Sequence, residues 1–213
     1  MQTRQTTARA LIRFALVAAA TTAAAALWAQ NRPEQGLLLD AQTWNEEVLT
    51  ASTGPWPENG WYRIVTSEDG VEVRSVKPSD RATAHADALF FRMKGTTLKT
   101  GMRPSYRYME VLQQPRVGRD HEMSLGMTRF SIRVEEVPAG VQYAIGYGGH
   151  TYDYILGPQG ASTSVRAVAD LDGDARPDFV VDVNDETTFL LLSTRAQPGP
   201  NLPTAELPAN VGF

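Results

Sequence analysis

Cysteine is absent from this chain of 213 residues, and its absence excludes several kinds of stabilising chemistry. No disulfide can cross-link the fold, no lipidated cysteine can anchor it, and no thiolate can ligate zinc. The three histidines (His85, His121 and His150) do not have the spacing of ligands on one helix. The sequence also lacks internal repeats and a Gly-x-Ser-x-Gly motif, so neither a repeat architecture nor a nucleophile elbow is predicted.

Long apolar runs are also missing, and the one run near the N-terminus is typical of a signal peptide over residues 1–29. Arg4, Arg9 and Arg13 precede the alanine-rich run Phe14–Leu27, and Ala29 provides a small residue for cleavage. The run is short for a membrane span, although an uncleaved anchor helix is the alternative. We therefore expect export to a periplasmic or secreted location, with no stable membrane insertion after cleavage.

The net charge limits the classes of partner that the mature chain is expected to bind. Removal of the three N-terminal arginines changes the formal charge from −4 to −7. An acidic protein is a poor partner for nucleic acid and for anionic membranes, so neither is expected. Since no disulfide is available, a bound metal is a natural source of additional folding free energy.

The chain divides into four predicted segments. After the signal peptide comes a linker-like segment over 30–60, in which Leu37–Leu39, Trp44 and Val48 favour one short helix with Asp40 as its N-cap. Residues 61–195 are predicted to form a β domain. The tail over 196–213 is rich in proline and is expected to be extended along the domain or disordered.

Strand patterns dominate the β domain. Trp61–Val65 and Val71–Val76 flank an Asp-Gly turn, which is a strong hairpin signal. Phe130, Ile132 and Val134 alternate with polar residues, as is typical of a half-buried strand. Further strands are predicted at the positions that follow: Ala88–Met93, Val141–Tyr147, Tyr152–Leu156, Val165–Ala169, Phe179–Val183 and Thr188–Leu192. We expect an all-β fold, a single antiparallel sandwich or open barrel of about eight to ten strands. Tyr106–Met127 shows no clear pattern and is interpreted as a long loop.

One acidic loop lies between two of these strands. Asp170, Asp172, Asp174 and Asp178 occupy relative positions 1, 3, 5 and 9, and alternate side chains of a tight loop converge on one centre. Carboxylate oxygens are the ligands that Ca²⁺ prefers. The predicted metal site consists of these four aspartates and the carbonyl oxygen of Arg176. The alternatives are an acidic Asp/Gly turn without an ion, and a catalytic metal site.

The segment Ala169–Val181 resembles the calcium loop of FG-GAP repeats, which occur in integrin-α-type β-propellers and related bacterial exported proteins. The resemblance implies that the alternating aspartates bind calcium between adjacent strands. Two features depart from the family: Ala175 replaces a glycine, and the loop occurs once, which argues against a propeller. An EF-hand is excluded because Val181 stands at its twelfth position, where that loop has glutamate.

We interpret the chain as an exported calcium-binding β domain with a structural or binding role in the bacterial envelope, where an envelope protein or glycan is the expected partner. A secreted metal-assisted hydrolase, using the acidic loop or the Asp120–Glu122 cluster, is the alternative. A third possibility is an adaptor or inhibitor that binds through a β edge and the tail. Tyr143, Tyr147, Tyr152 and Tyr154 could line a carbohydrate or peptide platform with His150, but core packing is the favoured interpretation.

Overall fold

The structure is a computed structural model that describes residues 35–50, 56–67, 69–80 and 86–207. These residues form fourteen strands in two sheets, which confirms the predicted all-β class. The strands are β1 (Gly36–Asp40), β2 (Trp61–Ser67), β3 (Gly70–Val76), β4 (Leu89–Arg92), β5 (Gly101–Arg103), β6 (Asp120–Leu125), β7 (Thr128–Val137), β8 (Gly140–Tyr147), β9 (His150–Gly157), β10 (Thr163–Ala169), β11 (Asp178–Val183), β12 (Thr187–Leu191), β13 (Gly199–Asn201) and β14 (Ala205–Leu207).

The larger sheet has nine strands in the order β10-β11-β12-β14-β1-β4-β2-β3-β5 and nearly closes into a barrel. Its two edges meet where residues 99–106 run beside residues 168–171, a contact that we call the barrel seam. Ser105 bridges Ala169, and the backbone N–H of Tyr106 donates to the carbonyl of Val168 at 2.8 Å. Closure satisfies backbone groups that an open sheet edge would expose.

The smaller sheet has five strands in the order β13-β9-β8-β7-β6 and packs its inner face on the strands β10–β12. Alternation along β7 places Phe130, Ile132 and Val134 in the core between this sheet and β10–β12, as predicted. The opposite faces of β10–β12 line the barrel interior, where Ala167, Val180 and Leu190 are buried. Burial on both faces explains the continuous apolar runs of these strands.

The predicted hairpins of the β domain are confirmed. Ser67 pairs with Gly70 across the first hairpin, and Val137 pairs with Gly140 across the second. The expectation of a long loop over Tyr106–Met127 is wrong in part, because Asp120–Leu125 forms β6 and Met109–Val111 forms one 3₁₀ turn. The first inward-facing residue of β6 is a histidine, His121. The alternation of apolar and polar residues is therefore weak, and the sequence pattern does not indicate a strand here.

The segment before Trp61 contributes both a strand and a helix. Ala41–Thr43 is α-helical and continues into the π-helical stretch Trp44–Val48, and together they form α1. Asp40 caps α1 as predicted, since its carboxylate accepts from the N–H of Thr43 at 2.7 Å. Leu37–Leu39 are not helical; they belong to β1, between β14 and β4. Parts of the segments on both sides of the β domain therefore lie within the sheets. The segment 30–60 contributes β1, and the tail over 196–213 contributes β13 and β14.

A third apolar cluster lies beneath α1. Trp44 stacks on Phe90 of β4 with ring centroids 4.1 Å apart and meets Trp61 edge to face at 5.2 Å. All three rings are buried. The cluster attaches α1 to the sheet.

Several predictions fall outside the described residues: the signal peptide over 1–29, the environment of His85, and the last six residues of the tail. Within the part that the structure describes, no helix combines the length and the apolar character needed to cross a bilayer.

Candidate metal centre

The acidic loop joins β10 to β11 and lies against the barrel seam. The N–H of Asp170 donates to the carbonyl of Pro104 at 3.0 Å, and the carbonyl of Leu171 accepts from the N–H of Lys99 at 2.9 Å. Leu171 is buried in the barrel core. The start of the loop is thus fixed by the same hydrogen bonds that close the sheet.

Three of the predicted ligands come together. One carboxylate oxygen from each of Asp170, Asp172 and Asp174 lies within 4.8 Å of the other two. Oxygens on opposite sides of one Ca²⁺ ion, each at 2.3–2.6 Å, are separated by about 5 Å, so this spacing suits a single cation. The structure therefore places an acidic cluster that can hold a metal ion where the spacing predicts one.

Local hydrogen bonds shape the cluster. Asp170 accepts from the N–H of Gly173 at 2.7 Å, and Asp174 accepts from the N–H of Arg176 at 2.8 Å. Asp172 accepts from the N–H of Asp174 at 3.3 Å. Such side-chain-to-backbone bonds are the usual reason that Asp favours turns. Because a carboxylate offers about four lone-pair positions, these bonds leave acceptor capacity free for a cation.

Charge is unevenly balanced within the cluster. Asp170 forms a buried ion pair with Arg103 at 3.1 Å, and Asp174 lies 3.7 Å from the guanidinium of Arg176. Asp172 has neutral partners, of which the hydroxyl of Thr194 donates at 2.6 Å. Burial raises the pKa of Asp172 above its ordinary value. A cation would therefore contribute most at Asp172, where no guanidinium contacts the carboxylate.

Asp178 occupies a different position from the other three aspartates. It is buried at the start of β11, and its two oxygens accept from the N–H groups of Leu171 and Ser193, each at 2.7 Å. Burial raises its pKa well above the ordinary value, while these two bonds oppose the shift. Asp178 lies outside the group of converging ligand atoms. Its visible contribution is to join the acidic loop to the 3₁₀ turn Ser193–Arg195.

Arg176 was predicted to supply a carbonyl ligand. The contacts that the structure shows for it are those of its backbone N–H and its guanidinium, both with Asp174. Its carbonyl as a ligand stays a prediction.

Four partners of the loop could not be found by local sequence reasoning. Arg103 comes from the seam, Ser193 and Thr194 from the turn after β12, and Thr128 from the start of β7. Arg103 lies 67 residues from Asp170 along the chain. No motif marks these residues, because hydroxyls and arginines are common throughout the sequence; only the fold brings them to the loop.

Ala175 has a left-handed backbone conformation, which glycine adopts more readily than alanine. Its φ is +65°, in the left-handed region that costs a residue with a Cβ about 1–2 kcal/mol. Its carbonyl accepts from the hydroxyl of Thr128 at 2.7 Å, which holds the strained residue in place. Alanine at this position is therefore compatible with the loop geometry.

We expect Ala175→Gly to stabilise the protein by about 1 kcal/mol, because glycine adopts this φ without the Cβ penalty. Urea unfolding followed by circular dichroism measures the change. Gly173→Ala is the control, because Gly173 has φ +86° and an added Cβ would lie 2.7 Å from the Cδ atom of Lys99. That control should destabilise the protein, and a destabilised Ala175→Gly variant would contradict the proposed strain.

The other candidate residues are dispersed. The four tyrosines of the suggested carbohydrate or peptide platform are all buried, as core packing requires, and Tyr147 stacks on Tyr152 at 4.2 Å. Burial raises the pKa of Tyr143 to about 12. His121 is buried and its pKa is lowered by desolvation, whereas His150 is exposed.

Asp120 and Glu122 share the outer face of β6 but have different surroundings. Asp120 pairs with Arg133 at 3.3 Å, whereas Glu122 lines an open cavity. Among the described residues, the two carboxylates therefore share no partner.

Comparison of the chain with protein-family models, curated proteins and solved structures finds no match.

Proposed function

We propose that the chain is an exported β domain in which one Ca²⁺ ion, held by Asp170, Asp172 and Asp174, stabilises the barrel seam for a structural or binding role in the cell envelope. The observation that carries this proposal is the convergence of three carboxylates beside the hydrogen bonds that close the nine-stranded sheet. Export rests on the signal-like sequence of residues 1–29.

The ligand chemistry supports calcium over other metals. The cluster found among the described residues contains carboxylate oxygens alone, which suit a hard cation. Mg²⁺ demands tighter octahedral geometry and keeps several waters, whereas Ca²⁺ accepts an irregular set of oxygens. The backbone bonds within the loop fix the three side chains in one such irregular arrangement.

A structural metal is better supported than a hydrolytic one. A catalytic site keeps a ligand position open to substrate. Here the side chain of Asp170 is about nine-tenths buried against Arg103, and the hydroxyls of Ser193 and Thr194 donate hydrogen bonds to Asp174 and Asp172. The loop also connects three parts of the fold: the seam, the turn after β12 and the start of β7.

Thermal unfolding of the full-length protein in Ca²⁺, in Mg²⁺ and in EDTA tests the proposal. A ligand at 100 times its Kd that binds only the native state adds about 2.7 kcal/mol. For a domain of this size, that corresponds to a rise in Tm of about 5–10 °C. We expect this rise in Ca²⁺ relative to EDTA and a smaller one in Mg²⁺. Identical Tm values in Ca²⁺ and EDTA would show that the cluster is an acidic turn without a bound ion.

A further inference from the structure

The outer face of the five-stranded sheet carries an open cavity of about 720 Å³, apart from the metal cluster. Its volume falls within the range of small-molecule sites. The residues that line it include Glu122, Ser124, Arg129, Ser131, Gly146 and His150.

Strand register explains why these residues share one surface. Glu122 of β6 lies opposite Ser131 of β7, and Ser131 lies opposite Gly146 of β8. Ser124 lies opposite Arg129 in the next outward-facing row. The cavity is thus built on three adjacent strands, which makes its floor rigid.

Gly146 gives the cavity its depth. An added Cβ at this position would lie 2.6 Å from the hydroxyl of Ser131, so a side chain there would occupy the floor. At the rim, the turn residues Gly148 and Gly149 have open space where a Cβ would stand. Three glycines at one end of the sheet leave room that ordinary side chains would fill.

Polar side chains in the cavity have no partners within the described protein. Glu122, Ser124, Arg129, Ser131 and His150 form no side-chain hydrogen bond and no ion pair with the described residues. Farther from the cavity on the same face of the sheet, polar side chains are paired. There Arg133 pairs with Asp120 and Glu135, and Gln142 donates to Asp153 at 3.1 Å. Unpaired polar groups are therefore concentrated at the cavity.

We propose that this cavity binds a short peptide with free termini. The carboxylate of Glu122 would take the terminal ammonium, and the guanidinium of Arg129 would take the terminal carboxylate, since Arg suits carboxylates bidentately. The serine hydroxyls would bind the peptide groups between the two ends. One acid and one base, each without a partner, match a ligand that carries one charge of each sign.

The two charged residues lie close enough in the sheet for one short peptide to reach both. Glu122 and Arg129 are diagonal neighbours on adjacent antiparallel strands, and such Cα atoms lie about 7–8 Å apart. An extended dipeptide spans about 7 Å. A simple anion would meet repulsion from Glu122, and a neutral sugar would leave both formal charges without counter-charges.

Isothermal titration of the full-length protein with Ala-Ala tests this inference, with the N-acetylated and C-amidated dipeptides and maltose as comparison ligands. We expect Ala-Ala to bind, and each blocked dipeptide to bind at least tenfold more weakly because one charge-assisted interaction is lost. Glu122→Gln and Arg129→Gln should each weaken the binding of Ala-Ala at least tenfold. The exposed pair Glu186→Gln and Arg195→Gln should leave it unchanged.

Gly146→Val tests the cavity without altering a charge. Valine suits a strand, but its Cβ must displace the hydroxyl of Ser131, so we expect a small loss in Tm and loss of binding through occupation of the floor. The proposal would be overturned by the absence of measurable binding at millimolar Ala-Ala, by equal affinity for free and blocked dipeptides, or by binding of maltose alone. Because the titration is independent of the calcium response, failure of either proposal leaves the other testable.

Discussion

Asp172→Asn is expected to abolish most of the calcium-dependent rise in Tm, which we place at about 5–10 °C in the wild type. Asp172 is the aspartate of the cluster that no guanidinium contacts, so removal of its charge affects the cation more than any internal ion pair. Asparagine retains an oxygen that can accept from Thr194. Differential scanning calorimetry in Ca²⁺ and in EDTA measures the effect.

The behaviour in EDTA identifies its cause. Without calcium, we expect Asp172→Asn to change Tm little or to raise it slightly, because burial disfavours the charged carboxylate. Asp185→Asn, in the exposed turn between β11 and β12, is the matched control and should retain the full calcium response. Equal losses of stability in Ca²⁺ and in EDTA would show that Asp172 acts through protein contacts alone.

Asp178→Ala is expected to destabilise the protein by about 3–5 kcal/mol in both Ca²⁺ and EDTA. The substitution leaves the N–H groups of Leu171 and Ser193 without their acceptor, and each unsatisfied buried donor costs about 1–3 kcal/mol. It also detaches the acidic loop from the turn after β12. Urea unfolding under both conditions measures the loss.

Asp182→Ala on the same strand provides the comparison for Asp178. Asp182 is half-buried and accepts one hydrogen bond, from the hydroxyl of Thr188 at 2.7 Å, so we expect a loss of about 1 kcal/mol. A destabilisation by Asp178→Ala that disappeared in EDTA would instead assign Asp178 to the metal.

Local patterns predicted the parts of the fold that depend on neighbours in sequence. Alternation gave β7 and β8, and the Asp-Gly turn gave the hairpin of β2 and β3. The N-cap of α1 was also predicted, because Asp40 and Thr43 are three residues apart. Pairing at long range was not predicted: β1 lies parallel to β14, and neither strand is long or regular enough to signal its position.

In the candidate site, too, the features set by residues close in sequence were predictable, and those set by long-range contacts were not. The spacing of Asp170, Asp172 and Asp174 is local, and the carboxylates converge as expected. Asp178 belongs to the same spacing, but the burial of its position depends on the turn at Ser193, which sequence spacing does not show. Arg103 was missed because the seam that brings it to Asp170 exists only after nine strands have been ordered in one sheet.

The barrel seam has a consequence for folding kinetics. It joins segments 67 residues apart, and the whole of β6–β9 lies between them in sequence. Contacts of such high separation form late, since the intervening chain must first be ordered. A cation bound there stabilises the native state more than the folding transition state. Calcium should therefore lengthen the lifetime of the folded protein by slowing its unfolding, while the rate of folding changes little.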